Sequence, residues 1–186
     1  MNSIEHGNII SSYSKAAHFA SIKHKHQKRK GADKVPYINH LIEVTDILIN
    51  TGGITESDVI VTALLHDTVE DTDTTFEEIE SIFGAKVAHY VSEVTDDKKL
   101  PQAKRKELQI THANSMSFEA KLVKLADKIC NVREILDNPP EGWSNERKVH
   151  YFYWSKAVVD NLGDINKPMQ KKFEEIFSLA INTVLI

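Results

Sequence analysis

Thr55-Glu56-Ser57-Asp58-Val59-Ile60-Val61-Thr62-Ala63-Leu64-Leu65-His66-Asp67-Thr68-Val69-Glu70-Asp71 is the stretch on which the fold turns. Thr55 to Asp58 have the form of a capping box, and Val59, Ile60, Ala63 and Leu64 recur at helical spacing, which predicts a helix entering a core. The last six residues then place His66, Asp67, Glu70 and Asp71 directly after that apolar run, where unpaired charge is costly. If the helix continues through them, Glu70 stacks near His66 and Asp67, and Asp71 near Asp67. An imidazole and a carboxylate holding a cation, with two more carboxylates beside its water, is the simplest purpose for such a group. An acidic helix end that happens to hold a histidine is the plain alternative in a chain with nine histidines.

Outward from this stretch the same periodicity repeats. Ile9, Tyr13, Ala16, Ala17, Ala20 and Ile22 form a first amphipathic helix that ends in the basic run from Lys23 to Lys34. A second carries Leu41, Val44, Ile47 and Leu48, has His40 near its start, and stops at Gly52-Gly53. Beyond the quoted stretch, Thr75 opens a helix that ends at Gly84, and another spans about Lys86 to Val94. A polar loop from Thr95 to Leu100 leads to Pro101, which suits the first turn of the next helix. Ser117-Phe118-Glu119-Ala120 opens a helix whose Leu122, Val123, Leu125, Ala126 and Ile129 are apolar nearly all round, so Asp127 stands out among them. After the Asn138-to-Gly142 loop, Asn145 caps an aromatic-rich helix ending near Gly163, and a last helix runs from about Pro168 to Val184. Neither a strand pattern nor an internal repeat is present, which predicts one all-α domain over residues 1–186, a bundle of about ten helices with a central metal site.

The composition narrows the function. A formal charge of −4 gives no basic surplus for nucleic acid, so any phosphate affinity must be local. With Cys130 as the sole cysteine the chain builds neither a disulfide nor a cysteine zinc site, and Cys130 reads as a small buried residue in a reducing, cytoplasmic setting. No signal segment or membrane-length apolar run is visible.

His40, His66, Asp67 and Asp127 are four candidate metal ligands from three separate helices, which a bundle can bring together. Asp127 has an alternative in a salt bridge with Lys124 or Lys128, and His40 in a capping or core role. Two imidazoles with two carboxylates suit Mn²⁺ or Fe²⁺ better than zinc if waters complete the shell. Glu70 and Asp71 beside them could orient or deprotonate water and manage the leaving group's proton.

His40, the run from His66 to Asp71, and Lys121-Leu122-Val123-Lys124-Leu125-Ala126-Asp127-Lys128 with Asn131 closely resemble the hydrolase domain of RelA/SpoT-type alarmone enzymes, a branch of the HD phosphohydrolase superfamily. Pro36-Tyr37-Ile38-Asn39-His40, Val94-Thr95-Asp96-Asp97-Lys98 and Glu141-Gly142-Trp143-Ser144 with Arg147 and Tyr151 extend the likeness, which runs from about Ala16 to Leu162. It is strongest to the small, hydrolase-only branch that includes the metazoan SpoT homologues. The resemblance implies Mn²⁺-dependent hydrolysis of guanosine 3′,5′-bis(diphosphate) and its pentaphosphate relative at the 3′ position, releasing pyrophosphate. It also implies metal binding by His40, His66, Asp67 and Asp127, water activation by Glu70 with Asp71, and no alarmone synthesis.

Arg29 and Lys30 fall where the resemblance places basic residues against substrate phosphates, as does Lys98 in its loop, whereas Lys23, Lys25 and Lys28 read as a solvated helix end. Asn131 shares a helix face with Asp127 and offers a bond to ribose or phosphate, while Arg147 and Tyr151, four apart, offer a guanidinium and a phenol on one face. Most of the neighbouring aromatics, with Trp143, are expected to pack, and the remaining histidines, His24 among them, have no convergent partner. The expected partner is a small nucleotide, with neither nucleic acid nor membrane. The 2′-phosphate of NADPH is an alternative substrate, and a non-catalytic nucleotide-sensing module is a second alternative.

Overall fold

The computed structural model describes residues 3–185, with side chains from Ile9 onward. Ten α-helices follow one another: α1 Ser3–Lys23, α2 Ile38–Asp46, α3 Ser57–Leu65, α4 Thr68–Asp71, α5 Phe76–Phe83, α6 Ala85–Val94, α7 Gln102–His112, α8 Phe118–Asp137, α9 Asn145–Leu162 and α10 Lys167–Leu185. Among the described residues no strand forms, only isolated bridges between Lys28 and Pro36 and between Gly31 and Pro140. The all-α expectation is borne out. No described helix is long and apolar enough to cross a membrane.

α8 is the central strut and packs against α2, α3, α6, α9 and α10. Its apolar surface explains this: Leu122, Val123, Leu125, Ala126 and Ile129 are all buried, and each leucine or isoleucine so placed contributes about 1.5–3 kcal/mol. One apolar cluster gathers around α8 with Val44, Phe152, Met169 and Phe173. A second joins α1, α2, α3 and α6 through Ala16, Leu41, Leu64, Leu65 and Val91. His40 directly precedes Leu41, His66 follows Leu65, and Asp127 follows Ala126, so the three are next in sequence to buried residues of the two clusters.

Helix starts show which sequence signals held. Thr75 accepts from the Glu78 N–H and Ser117 from the Ala120 N–H, both at 3.2 Å, as their capping positions predict. The Thr55 capping box does not form: Glu56 is the cap of α3, and its carboxylate takes the Thr55 N–H at 3.1 Å instead. α9 is capped by Ser144 rather than Asn145, its hydroxyl accepting from Arg147 N–H at 3.2 Å. α7 starts directly after Pro101, which is its cap. After α2 the chain widens into a π-helical turn, Ile47–Thr51, before Gly53 leaves it with φ of 68°.

Gly31 is a close approach of the α1–α2 loop to the end of α8. A Cβ there would lie 2.6 Å from the Asn138 carbonyl oxygen, so only glycine permits this approach of the loop, which also sets Arg29 against Asn131 and Glu134 of the strut.

Candidate metal centre and active-site cleft

The expected continuous helix through His66 is broken. α3 ends at Leu65, Asp67 adopts φ −102° and ψ −2°, and α4 resumes at Thr68. The break frees carbonyls that local side chains then satisfy. Thr68 Oγ1 donates to Leu65 O at 2.6 Å, and His66 Nδ1 to Ala63 O at 2.8 Å. The second bond fixes the tautomer, since an imidazole with its proton on Nδ1 presents the Nε2 lone pair outward.

That lone pair meets three other donors. His66 Nε2 lies 3.1 Å from Asp67 Oδ2 and 3.7 Å from Asp127 Oδ1, and His40 Nε2 lies 3.7 and 3.2 Å from the same two oxygens. His40, His66 and Asp67 each offer an atom within 4.8 Å of the others, a spacing suited to one ion. Both histidines are buried, yet neither Nε2 makes a hydrogen bond, a cost that a shared cation removes.

The electrostatics favour positive charge at this point. Without a cation, burial works against a second proton on His66, but the Asp67 and Asp127 carboxylates overcome it and hold the imidazole up at about 10, so that a proton takes the Nε2 lone pair a cation would use. Burial also works against the two carboxylates, yet both stay far below their usual range. His66 and His40 hold Asp67 down, and Lys128 with the two histidines holds Asp127 down. His40 is pushed the other way by burial, which keeps it neutral and able to donate its lone pair. The donor set therefore fits a divalent cation.

Outer contacts orient these groups. Tyr37 Oη donates to Asp67 Oδ2 at 2.5 Å, and Asn131 Nδ2 to Asp127 Oδ1 at 2.5 Å. Lys128 Nζ stands 3.3 Å from Asp127 Oδ2, so the salt bridge weighed as an alternative for Asp127 exists alongside its place among the donors. Lys124 instead donates to Val94 O at 2.9 Å.

Glu70 and Asp71 stand in the same cleft, on α4. Burial and the Asp67 charge raise the Glu70 carboxyl above its ordinary value, opposed by the Asp96 N–H, which donates to Oε2 at 3.2 Å. Arg105 Nη1 lies 3.6 Å from the other oxygen. Asp71 is held by Lys98 and by Gln27 Nε2 at 2.7 Å.

The donors open into a cleft of about 800 Å³ that all the expected substrate contacts line: Arg29, Lys30, Lys98, Asn131, Arg147 and Tyr151. Arg29 ion-pairs with Glu134, donates to Asn131 Oδ1 at 2.7 Å and lies over the Tyr37 ring. Arg147 lies 4.3 Å from the centroid of Trp143, and Tyr151 packs between Trp143 and Trp154. Lys23 is not a solvated end: it bridges Asp73 and Glu78, both at 3.1 Å. Cys130 is buried as expected, and burial pushes its thiol upward.

Several residues of the cleft and its surroundings were not expected as site residues. Lys106 and Lys128 flank the Trp154 ring at 4.7 and 4.5 Å, and burial with Lys128 and Arg147 nearby depresses the Lys106 ammonium. Arg105, Gln27 and Tyr37 also line the cleft, and the buried His24 packs against Gln27 and Tyr37. Helical spacing from expected site residues marks Lys128 and Trp154, since Lys128 adjoins Asp127 and Trp154 is three beyond Tyr151; nothing comparable marks Gln27.

A family model described as an HD domain matches residues 16–151. The chain is 53% identical over 162 residues, 87% of this chain and 90% of the relative, to a Xenopus tropicalis protein named guanosine-3′,5′-bis(diphosphate) 3′-pyrophosphohydrolase MESH1. A Homo sapiens protein of that name is 50% identical over 162 residues, with 87% and 90% covered. A solved structure of a metazoan SpoT orthologue, described as hydrolysing ppGpp and playing a role in starvation responses, matches with TM-score 0.88 at 46% identity over 90% of this chain and 94% of that one.

Proposed function

The chain belongs to the HD domain family, and from that premise we propose that it hydrolyses guanosine 3′,5′-bis(diphosphate) and its pentaphosphate relative to pyrophosphate and GDP or GTP, with Mn²⁺ as its cation. The carrying observation is that two imidazoles and two carboxylates converge at a basic cleft in a chain half identical to relatives named for this reaction.

His40, His66, Asp67 and Asp127 hold the cation, which supplies Lewis acidity to a phosphoryl oxygen and lowers the pKa of water. Glu70 is the proton acceptor. Its carboxyl is held up by burial and Asp67, so it takes a proton from attacking water more readily than an ordinary glutamate. The new bond joins that water's oxygen to the phosphorus attached to the 3′ oxygen, and the bond from phosphorus to the 3′ oxygen breaks. Asp71, a carboxylate paired with Lys98, orients the water beside Glu70, and the proton that Glu70 takes from that water returns to the departing 3′ oxygen.

Arg29, Lys30, Lys98 and Arg147 meet the phosphates, and Asn131 with Tyr151 meets the sugar or base. A substrate with at least four phosphates needs such a concentration of cations in an otherwise acidic chain. We read the chain as one cytoplasmic domain whose partner is this small nucleotide.

Purified protein supplied in turn with Mn²⁺, Mg²⁺ and Zn²⁺ is expected to release pyrophosphate from the tetraphosphate, fastest with Mn²⁺. Absence of release from Mn²⁺-loaded protein overturns the activity, and faster phosphate release from NADPH in the same assay redirects it to that nucleotide.

A further inference from the structure

His24 is buried outside the residues that line the cleft, with its Nδ1 edge and one ring face engaged and its Nε2 without a hydrogen-bond partner. Nδ1 lies 2.6 Å from Gln27 Oε1. Gln27 Nε2 in turn donates to Asp71 Oδ2 at 2.7 Å. The imidazole also stacks on Tyr37, centroids 5.0 Å apart and planes 19° from parallel. The backbone ties the three together: Gln27 N–H donates to His24 O at 2.9 Å, and Tyr37 N–H to Gln27 O at 3.0 Å.

The direction of this chain of bonds is dictated by its end. Asp71, ion-paired with Lys98, is a carboxylate and only accepts. Gln27 must therefore turn its NH₂ toward Asp71, which leaves its carbonyl oxygen facing His24. A carbonyl only accepts, so His24 Nδ1 must carry the proton. The opposite tautomer would set two lone pairs against each other 2.6 Å apart, or turn the amide over and aim its oxygen at the carboxylate.

We propose that His24 is a positioning residue for the hydrolysis: through its Nδ1 proton it fixes the Gln27 amide, and through Gln27 it holds Asp71 in place beside Glu70. The Tyr37 stack keeps the imidazole in the plane this requires. The role of Asp71 rests on the function proposed above; the bond direction does not.

Two measurements test this. In protein with ¹⁵N-labelled histidine and Mg²⁺, long-range ¹⁵N–¹H correlations should give His24 as the Nδ1–H tautomer, assigned by the signal lost in His24→Phe. An Nε2–H tautomer overturns the proposal, whatever the substrate proves to be. In turnover, His24→Phe keeps a ring against Tyr37 but no donor, and Gln27→Leu removes the amide. Each should lower kcat by about 10–100-fold, the usual cost of losing an orienting contact, with KM and Mn²⁺ content unchanged. The double variant should be no slower than the worse single one, because the two act as a unit. His24→Asn, which places an N–H near the Nδ1 position, should recover most of the loss. Losses that multiply, a wild-type rate in His24→Phe, or a change confined to KM or metal content each overturn it. Pyrophosphate release by the unaltered chain reads the proposed function separately, so either conclusion can fail alone.

Discussion

His40 Nε2 and Asp127 Oδ1 stand 3.2 Å apart although they arrive on different helices, α2 and α8. The two residues share a point without bonding, for neither ring nitrogen of His40 makes a hydrogen bond. The geometry is that of two donors awaiting one acceptor of lone pairs, and it binds the helices' relative placement to the ion's presence.

Mn²⁺ should accordingly raise the melting temperature. At a hundredfold excess over Kd the gain is about 2.7 kcal/mol. His40→Ala, which removes a neutral donor and leaves no buried charge unpaired, should lose that gain. Melting with and without Mn²⁺, alongside elemental analysis, checks both.

Glu70→Gln keeps the shape of the side chain and removes its capacity to take a proton. Turnover should fall by about 10²–10⁴-fold, while bound metal and nucleotide affinity stay as they were. A variant that turns over normally would remove Glu70 from the reaction.

The same substitution should stabilise the metal-free protein at neutral pH. Folding raises the Glu70 pKa, so the native state binds the proton more tightly than the unfolded chain does. Stability from this group is then present below the ordinary glutamate value and lost as pH rises through the raised one. Glu70→Gln should melt above wild type at pH 7, and the gap should close as pH falls toward 4. Melting curves in chelator across that range give the comparison.

Glu134 holds Arg29 before any phosphate reaches it. Glu134→Gln should lower KM several-fold, since the substrate no longer competes with an internal anion, and leave kcat nearly unchanged. Initial rates over a range of tetraphosphate concentrations separate the two constants; a higher KM would show that Glu134 instead orients Arg29 for binding.

The helices were legible because burial writes a 3.6-residue period: Leu122, Leu125 and Ile129 announce α8, and its deep burial follows from that pattern. Thr75 and Ser117 announced their caps for an equally local reason. Thr55 and Asn145 did not cap because a neighbour, Glu56 or Ser144, occupies the position one residue away, and short-range propensity does not distinguish adjacent polar residues. Within the site, His66, Asp67, Glu70 and Asp71 were readable together since they adjoin in sequence. Asp127 was readable because a carboxylate on a wholly apolar helix needs a reason. His24, Gln27 and Tyr37 lie on a loop whose course is set by the Gly31 contact with Asn138, and no periodicity records a long-range docking of that sort. Lys98 was expected in the cleft, but its pairing with Asp71 depends on how the loop after α6 folds back.

The irregular turn at Asp67 also bears on transplanting this centre. On an unbroken helix, adjacent residues project about 100° apart, and His66 and Asp67 would face different directions. A designer who copies the two letters onto a straight helix inherits the ligands without their meeting place. The portable unit is the kinked backbone together with Thr68 and the Ala63 carbonyl that make the kink affordable.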